Sequence, residues 1–374
     1  MGNSSDSIFV TRPNLPPLEK LYPYLEKIWE TKILTNNGPF HNIFEQKLAK
    51  FLGVNHINLF CNGTLALVIG LQALRITGNV ITTPFSFPAT THALKWNNIS
   101  PVFCDIEEES LNIDPNKIET LITSETSAVM PVHVYGHPCD TERIQEIADK
   151  YGLKVIYDAA HVFGVKMKGR NLLLEGDISI LSFHGTKLFT TFEGGALISK
   201  NEAFKKRIDF LKNFGFLDEI TITSPGINGK MNELQSAVGI LSLEIVDEEI
   251  ANRKKISETY FELLKKIKGV KLFNHFKGYD YNYAYLPILI NKGQSAEARD
   301  QVYNILKKQN IFARRYFYPL ISNMLPYQGL RSASRENLPV ANRVADRILC
   351  LPLYGSLSVK NVHRICELIK SILQ

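Results

Sequence analysis

The sequence predicts an α/β protein: a mostly parallel mixed sheet with helices on both faces, followed by a smaller C-terminal α+β unit. Three observations predict it. Between about residues 55 and 200, short β-rich runs alternate with stretches of helical period, the order expected of repeated β-α units. Several of the runs are continuously apolar, as strands covered on both faces must be. The chain has 374 residues, enough for two domains at about 150 residues each.

The elements follow in chain order. Residues 11 to 40 carry Pro13, Pro16, Pro17, Pro23 and Pro39 around one amphipathic stretch, Leu18 to Trp29. This reads as an arm plus a helix, with Asn37-Gly38-Pro39 as a turn. Strands are predicted at His56–Phe60, Val80–Thr83, Val102–Asp105, Ala128–Val134, Lys154–Asp158, Ile178–Phe183 and Ala196–Ser199. Helices are predicted at Thr64–Leu74, Thr90–Trp96, Pro115–Leu121, Asp140–Tyr151 and Glu202–Asn213. Helical pattern dominates from 232 to 268. A second mixed region then holds a strand at Tyr283–Ile290, a helix at Ala296–Gln309, a short strand at Ile348–Leu351 and a closing helix at Val359–Leu373. A boundary near 248, inside the long helical run, divides a large unit, 1–248, from a small one, 249–374. The chain has no internal repeat.

Composition narrows the function. Lys and Arg number 43 against 37 Asp and Glu, a net charge of +6, and 45 % of residues are hydrophobic. No basic stripe is interleaved with aromatics, so nucleic acid is not a predicted partner. Cysteines stand at 61, 104, 139, 350 and 366, an odd number with no C-x-x-C pair. They read as reduced, buried thiols of a cytoplasmic protein. No apolar run approaches the ~18 residues of a membrane span. The start, Met1-Gly2-Asn3-Ser4-Ser5-Asp6, lacks the apolar stretch of a signal peptide. Asp6 stands where a myristoylation signal has Ser or Thr, so this segment reads as a loose terminus. His133 and His137 are four apart, but a strand running into a turn does not put them on one face, and no metal site is predicted. Glu107-Glu108-Glu109 reads as a solvated turn. No Walker-type loop and no G-x-G-x-x-G follows an early strand, which argues against nucleotide hydrolysis and a dinucleotide cofactor.

Four segments carry chemistry. In Cys61-Asn62-Gly63-Thr64, between a strand and a helix, Gly63 permits close backbone approach, and Thr64 with the free N–H groups of the helix start suits a phosphate. The same residues fit a plain helix cap by Asn62 or Thr64. In Val155-Ile156-Tyr157-Asp158-Ala159-Ala160-His161, an apolar strand ends at a carboxylate. That end of a doubly wound sheet is where ligands bind, and a buried carboxylate requires a cation or hydrogen bonds; a structural cap for the next turn is the other reading. Ile180-Leu181-Ser182-Phe183-His184-Gly185-Thr186-Lys187, followed by Glu193-Gly194-Gly195, sets a lysine just after a buried strand. Burial there would make its amine nucleophilic, whereas solvation would leave it ordinary. Gly226-Ile227-Asn228-Gly229-Lys230-Met231-Asn232-Glu233 is a Gly/Asn-rich loop opening a helix, with Asn232 as a candidate cap.

Together the segments match what pyridoxal 5′-phosphate (PLP) requires: a phosphate cradle, a flat side chain against the ring, a carboxylate facing the pyridine nitrogen and a lysine. Phe87, in Pro84-Phe85-Ser86-Phe87-Pro88-Ala89-Thr90, is the candidate for the ring, with Phe85 second.

The runs Asp158-Ala159-Ala160-His161, Ser182-Phe183-His184-Gly185-Thr186-Lys187 and Glu193-Gly194-Gly195 resemble the DegT/DnrJ/EryC1/StrS sugar aminotransferases, which have fold type I of PLP-dependent transferases. The likeness extends from Thr35-Asn36-Asn37-Gly38-Pro39 to Leu351-Pro352-Leu353-Tyr354. It implies that Lys187 carries the cofactor and serves as general base, that Asp158 pairs with the pyridinium, and that His161 touches the ring hydroxyl. Gly63, Thr64 and Ser182 would hold the phosphate. Asn228 would reach the phosphate of a neighbouring subunit, which implies a homodimer with shared sites; Lys230 stands where many members have Arg. This chain has His184-Gly185-Thr186-Lys187 where many members read His-Pro-Thr-Lys, and Phe192-Glu193-Gly194-Gly195 where many read Gly-Glu-Gly-Gly. These departures, with Arg314-Arg315-Tyr316-Phe317-Tyr318-Pro319, look like the branch that acts on dTDP-keto-6-deoxyhexoses. Tyr316 takes a place often held by a substrate-contacting His, and Arg314 or Arg315 is a candidate for the diphosphate, a solvated face being the other reading for each. The implied reaction moves an amino group from L-glutamate to C4 of dTDP-4-dehydro-6-deoxyglucose, making an amino-deoxysugar for surface polysaccharide or O-antigen. Amination at C3 of a 3-keto isomer is the alternative within the branch. Family dehydratases have His in place of the lysine, which Lys187 opposes. An idle sensor or scaffold that binds PLP or a sugar nucleotide is the alternative from another class.

Overall fold

The computed structural model of the protein describes residues 7–273, 278–291 and 296–374; the Met1–Asp6 segment lies outside them. The alternating region builds one seven-stranded sheet from β1 (Ile57–Phe60), β2 (Asn79–Thr82), β3 (Ser100–Phe103), β4 (Thr126–Met130), β5 (Lys154–Asp158), β6 (Ile178–Ser182) and β7 (Gly195–Ser199). Their order across the sheet is β1-β7-β6-β5-β4-β2-β3. All pairs are parallel except those of β7, which runs antiparallel to both neighbours. β1, β2 and β7 are buried at every residue, the consequence of having helices on both faces. Helix Gly63–Ala73 packs Leu67, Ile69 and Leu71 with Ile180 and Leu197 on one side; Phe44, Leu48 and Ile240 pack with Leu59 and Leu181 on the other.

The C-terminal region forms a second sheet from β8 (Val270–Leu272), β9 (Leu286–Ile290) and β10 (Ile348–Leu351), in the order β8-β9-β10 and antiparallel throughout. Helices Glu297–Lys308 and Val359–Leu373 cover it through Val302, Leu306, Val362, Ile365 and Ile369. Helix Glu233–Leu264 runs unbroken past residue 248. Its first half gives Ile240 and Val246 to the core beside the large sheet, and its second half gives Ile256, Tyr260 and Leu264 to the core of the small one.

Four local readings change. Asn37-Gly38-Pro39 does not merely turn; Pro39 opens a 14-residue helix, Pro39–Leu52, from its first position, where a missing N–H costs nothing. Glu233, 1 % exposed, accepts Phe40 N and His41 N at 2.8 Å each and so caps this helix from 192 residues away. The strand expected at Ala128–Val134 ends at Met130, and the chain turns through Tyr135 at φ 57°. The strand expected from Tyr283 starts at Leu286, because Tyr283 itself has left-handed φ of 53°, which no ladder accommodates. A further short helix, Pro339–Ala345, was not foreseen. The Glu107–Glu109 turn is tied down rather than simply solvated: Glu108 pairs with Arg343 and Glu109 with Lys271. All five cysteines are free thiols, four of them buried. Among the described residues no helix is long and apolar enough to cross a membrane. Nor does any cluster of three His, Cys, Asp or Glu there have metal-binding geometry. The His133 ring stacks on Tyr157, with centroids 4.6 Å apart, and its Nδ1 accepts Cys139 N.

Candidate active site

Three chain events meet at one edge of the large sheet. β5 ends at Asp158, β6 ends at Ser182, and β7, running the other way, begins at Gly195. Register sets Gly195 opposite Ser182 on one side and Phe60 on the other. A Cβ on Gly195 would come within 2.7 Å of the Gly63 nitrogen, so glycine there lets helix Gly63–Ala73 begin directly against the strand. The cap of that helix is Asn62, whose Oδ1 accepts Leu65 N at 2.8 Å; Thr64 is not the cap. The N–H groups of Gly63 and Thr64 belong to the first turn and have no helical carbonyl to bind. With Ser182 they border a cavity of about 220 Å³ and offer it the donors a phosphate needs.

Asp158 lines this cavity, 6 % exposed. Its Oδ2 accepts the Thr90 hydroxyl at 2.7 Å and its Oδ1 accepts Ala160 N at 3.1 Å, while Ser86 Oγ lies 2.8 Å from Thr90 Oγ1. Burial raises its pKa; the two hydrogen bonds and the charge of Lys187 oppose that. Among the described residues no Lys, Arg or His makes an ion pair with it. A carboxylate buried in this way, open only to the cavity, suits a cationic ring placed there. His161, 5 % exposed, accepts Tyr135 N on Nδ1 at 3.1 Å, which leaves the ring proton on Nε2. Burial, then the charge of Lys187, holds its pKa well below the usual histidine range. It is a neutral N–H donor at the cavity wall. Lys187 is half-buried, with its amine 3.3 Å from the Tyr285 hydroxyl. Burial lowers its pKa to about 8, with Asp158 and Tyr316 pulling the other way. Such an amine is neutral often enough to act as nucleophile and base.

Of the two phenylalanines, Phe87 lines the cavity and is 56 % exposed, whereas Phe85 is fully buried against Tyr135 and Phe317. Tyr316 also lines the cavity. Arg314 is exposed, does not line it, and acts on Tyr316 by charge, lowering its pKa against the larger effect of burial. Arg315 does not line the cavity either: its guanidinium pairs with Asp300 at 2.9 Å and lies over the Tyr303 ring. Asn228 is exposed, bridges Asn213 and stays outside the cavity of its own chain. Sequence reasoning missed Thr90, Tyr285 and Phe317, which all touch the site. Thr90 lies within the quoted Pro84–Thr90 segment, but its partner Asp158 is 68 residues away, and no local pattern reveals that pair.

The model of the DegT/DnrJ/EryC1/StrS aminotransferase family matches residues 19–370. The chain belongs to this family. It is 55 % identical to a dTDP-4-amino-4,6-dideoxy-D-glucose transaminase of Escherichia coli, over 97 % of this chain and 98 % of the relative. A protein of the same name from Shigella dysenteriae is 49 % identical over 98 % and 99 %. The crystal structure of DesI in the presence of its TDP-sugar product superposes with a TM-score of 0.93 at 34 % identity, covering 98 % of this chain and 93 % of that one. This aminotransferase therefore has the Lys187 amine, the buried Asp158 carboxylate and an amide-lined helix start around one cavity, and these residues fit PLP.

Proposed function

We propose that this aminotransferase uses PLP to move the amino group of L-glutamate to C4 of dTDP-4-dehydro-6-deoxyglucose, giving 2-oxoglutarate and dTDP-4-amino-4,6-dideoxy-D-glucose. The observation that carries the chemistry is the cavity shared by Lys187 and Asp158; the likeness to two near full-length relatives named for this sugar supports the acceptor. When bound, PLP supplies an aldehyde for the amine and a ring that draws off the electrons of the neighbouring C–H bond. Gly63, Thr64 and Ser182 would hold its phosphate, and Phe87 would face its ring. Asp158 would hold a proton on the ring nitrogen, with Thr90 and Ala160 supporting its ionised form. His161 would donate Nε2–H to the ring oxygen. Lys187 Nζ would take the α proton of glutamate and deliver a proton to the carbon of the cofactor's aldehyde group, and would move protons in the opposite sense in the half-reaction on the sugar.

The protein works as a homodimer in this reading. Asn228 is exposed and pairs with Asn213, and Phe214, Leu217 and Ile222 of the same 213–228 segment are 47 %, 51 % and 61 % exposed; Asn228 would serve the phosphate site of the neighbouring subunit. The large unit, 1–248, carries the cofactor, and the small unit, 249–374, contributes Tyr285 and Tyr316. The enzyme works in the cytoplasm, and its product feeds surface polysaccharide or O-antigen. Incubation with glutamate and either ketosugar tests the acceptor: product from the 4-keto compound, with nitrogen at C4 by NMR, is expected. Product from the 3-keto compound alone would replace C4 by C3. Lys187→Ala should stay folded and lose the visible absorbance of the bound cofactor; a wild-type absorbance band that glutamate does not bleach would mark an idle scaffold instead.

A further inference from the structure

The proposed reaction requires one cavity to accept a small dicarboxylate and a nucleotide sugar in turn. We propose that His184 receives a carboxylate of the amino donor, and that Glu193 is an internal stand-in that occupies His184 when the donor is absent. The inference rests on the reading of the donor as L-glutamate. Among the described residues of one chain, three lysine or histidine side chains line the cavity: Lys187, His161 and His184. Lys187 is committed to the reaction. His161 is buried, with Nδ1 taken by Tyr135 N. His184 is left, and its side chain is 48 % exposed.

The geometry fixes what His184 can offer. Its Nδ1 accepts Thr186 N at 3.2 Å and lies 2.8 Å from Thr186 Oγ1. The proton therefore sits on Nε2 in either charge state of the ring, and Nε2 is a donor. Nε2 lies 3.4 Å from Glu193 Oε1. Glu193 lines the same cavity, so a carboxylate of the chain already occupies the place a substrate carboxylate would take. The Glu193 backbone is pinned: its carbonyl accepts Gln235 Nε2 at 2.6 Å and Thr191 Oγ1 at 2.7 Å. The side chain, 57 % exposed, is free to swing, and so exposed a pair holds together weakly. A donor engaged at Lys187 presents its carboxylate at high effective concentration and displaces Glu193. The sugar ring brings no carboxylate to this wall, so Glu193 then keeps the His184 donor satisfied.

Calorimetric titration of the holoenzyme with glutarate, a five-carbon dicarboxylate without an amine, and separately with dTDP, tests this. His184→Ala should weaken glutarate severalfold, the loss of one donor to a charged group at a half-exposed site, and leave dTDP within twofold. The KM for L-glutamate should rise in parallel while the KM for the sugar holds. His184→Gln keeps an N–H donor and should recover part of the loss. Glu193→Gln removes the competitor and should tighten glutarate severalfold. Glutarate binding that ignores His184, or dTDP binding that falls equally, would overturn the inference. If glutarate follows His184 but neither ketosugar is aminated, the proposed acceptor falls and the carboxylate site stands.

Discussion

Thr90→Val tests how Asp158 is kept ionised. The substitution removes one hydroxyl from a fully buried side chain without changing its shape. Asp158 loses the 2.7 Å bond at Oδ2 and keeps Ala160 N at Oδ1. A hydrogen bond to a charged group contributes about 1.5–3 kcal/mol, and about 1.4 kcal/mol is a tenfold change in an equilibrium constant. The carboxylate must be ionised to pair with a ring cation, so apoprotein should bind PLP roughly 10- to 100-fold more weakly. The measurement is the dissociation constant from quenching of intrinsic fluorescence on titration with PLP. Ser86→Ala is the comparison, since it removes the 2.8 Å contact with Thr90 and leaves the Thr90 bond to Asp158 in place, although Ser86 itself borders the cavity. An affinity within twofold of wild type for Thr90→Val, or an equal loss in Ser86→Ala, would refute the argument. A second readout follows from linkage. The folded-state pKa of Asp158 is raised by burial, so native apoprotein holds this proton to higher pH than the unfolded chain does. Its contribution to stability is present below the unfolded pKa and is lost as pH rises through the folded one. Because the hydroxyl bond opposes the rise, Thr90→Val should extend that loss to higher pH in urea unfolding.

Three further outcomes are expected. Lys187 has the opposite sign: its pKa falls from 10.5 to about 8 on folding, so apoprotein should gain stability as pH rises between those values; Lys187→Met should flatten that gain relative to wild type, and an unchanged pH slope would count against a depressed amine. Glu233→Ala leaves one buried and one partly buried N–H group of helix Pro39–Leu52 without their acceptor and should cost about 1–3 kcal/mol per group at most, read as a lowered urea midpoint, with Glu233→Gln recovering part because one oxygen remains. Gly195→Ala would set a Cβ 2.7 Å from Gly63 N; an overpacking cost of about 1–3 kcal/mol and weaker PLP binding by the apoprotein should appear together, and a wild-type midpoint with wild-type affinity would show that the helix start adjusts freely.

Strand ends were legible because burial on both faces writes itself as a continuous apolar run, and the first polar residue after it marks the sheet edge. Val155-Ile156-Tyr157-Asp158 and Ile180-Leu181-Ser182 announce Asp158 and Ser182 in this way. The long helix was legible from its pattern and its Asn232 cap, which the structure completes with Gln235 in a capping box. Helix Pro39–Leu52 was not: its start depends on Glu233, nearly two hundred residues downstream. Tyr135 and Tyr283 end their strands through left-handed backbone, and nothing in a tyrosine signals that conformation. Phe85 and Phe87 are alike in composition and context, and only packing sends one into the core and the other to the cavity. Arg315 looked as available as Arg314 until Asp300 and Tyr303 closed around it.

By itself, then, the sequence determined the chain order of strands and helices and set Asp158 and Lys187 just past buried runs, because each follows from short-range pattern: period, caps and the polar residue that closes an apolar run; the roles expected of those two side chains came from the resemblance to the family. Only the tertiary structure decided what surrounds them: Thr90 on Asp158, Tyr285 beside the Lys187 amine, Glu193 on His184, and Asn228 outside the cavity of its own chain. Those pairings join residues brought together by the crossing of distant segments, and the free energy that selects them comes from burial and hydrogen bonding that no local stretch of chain contains.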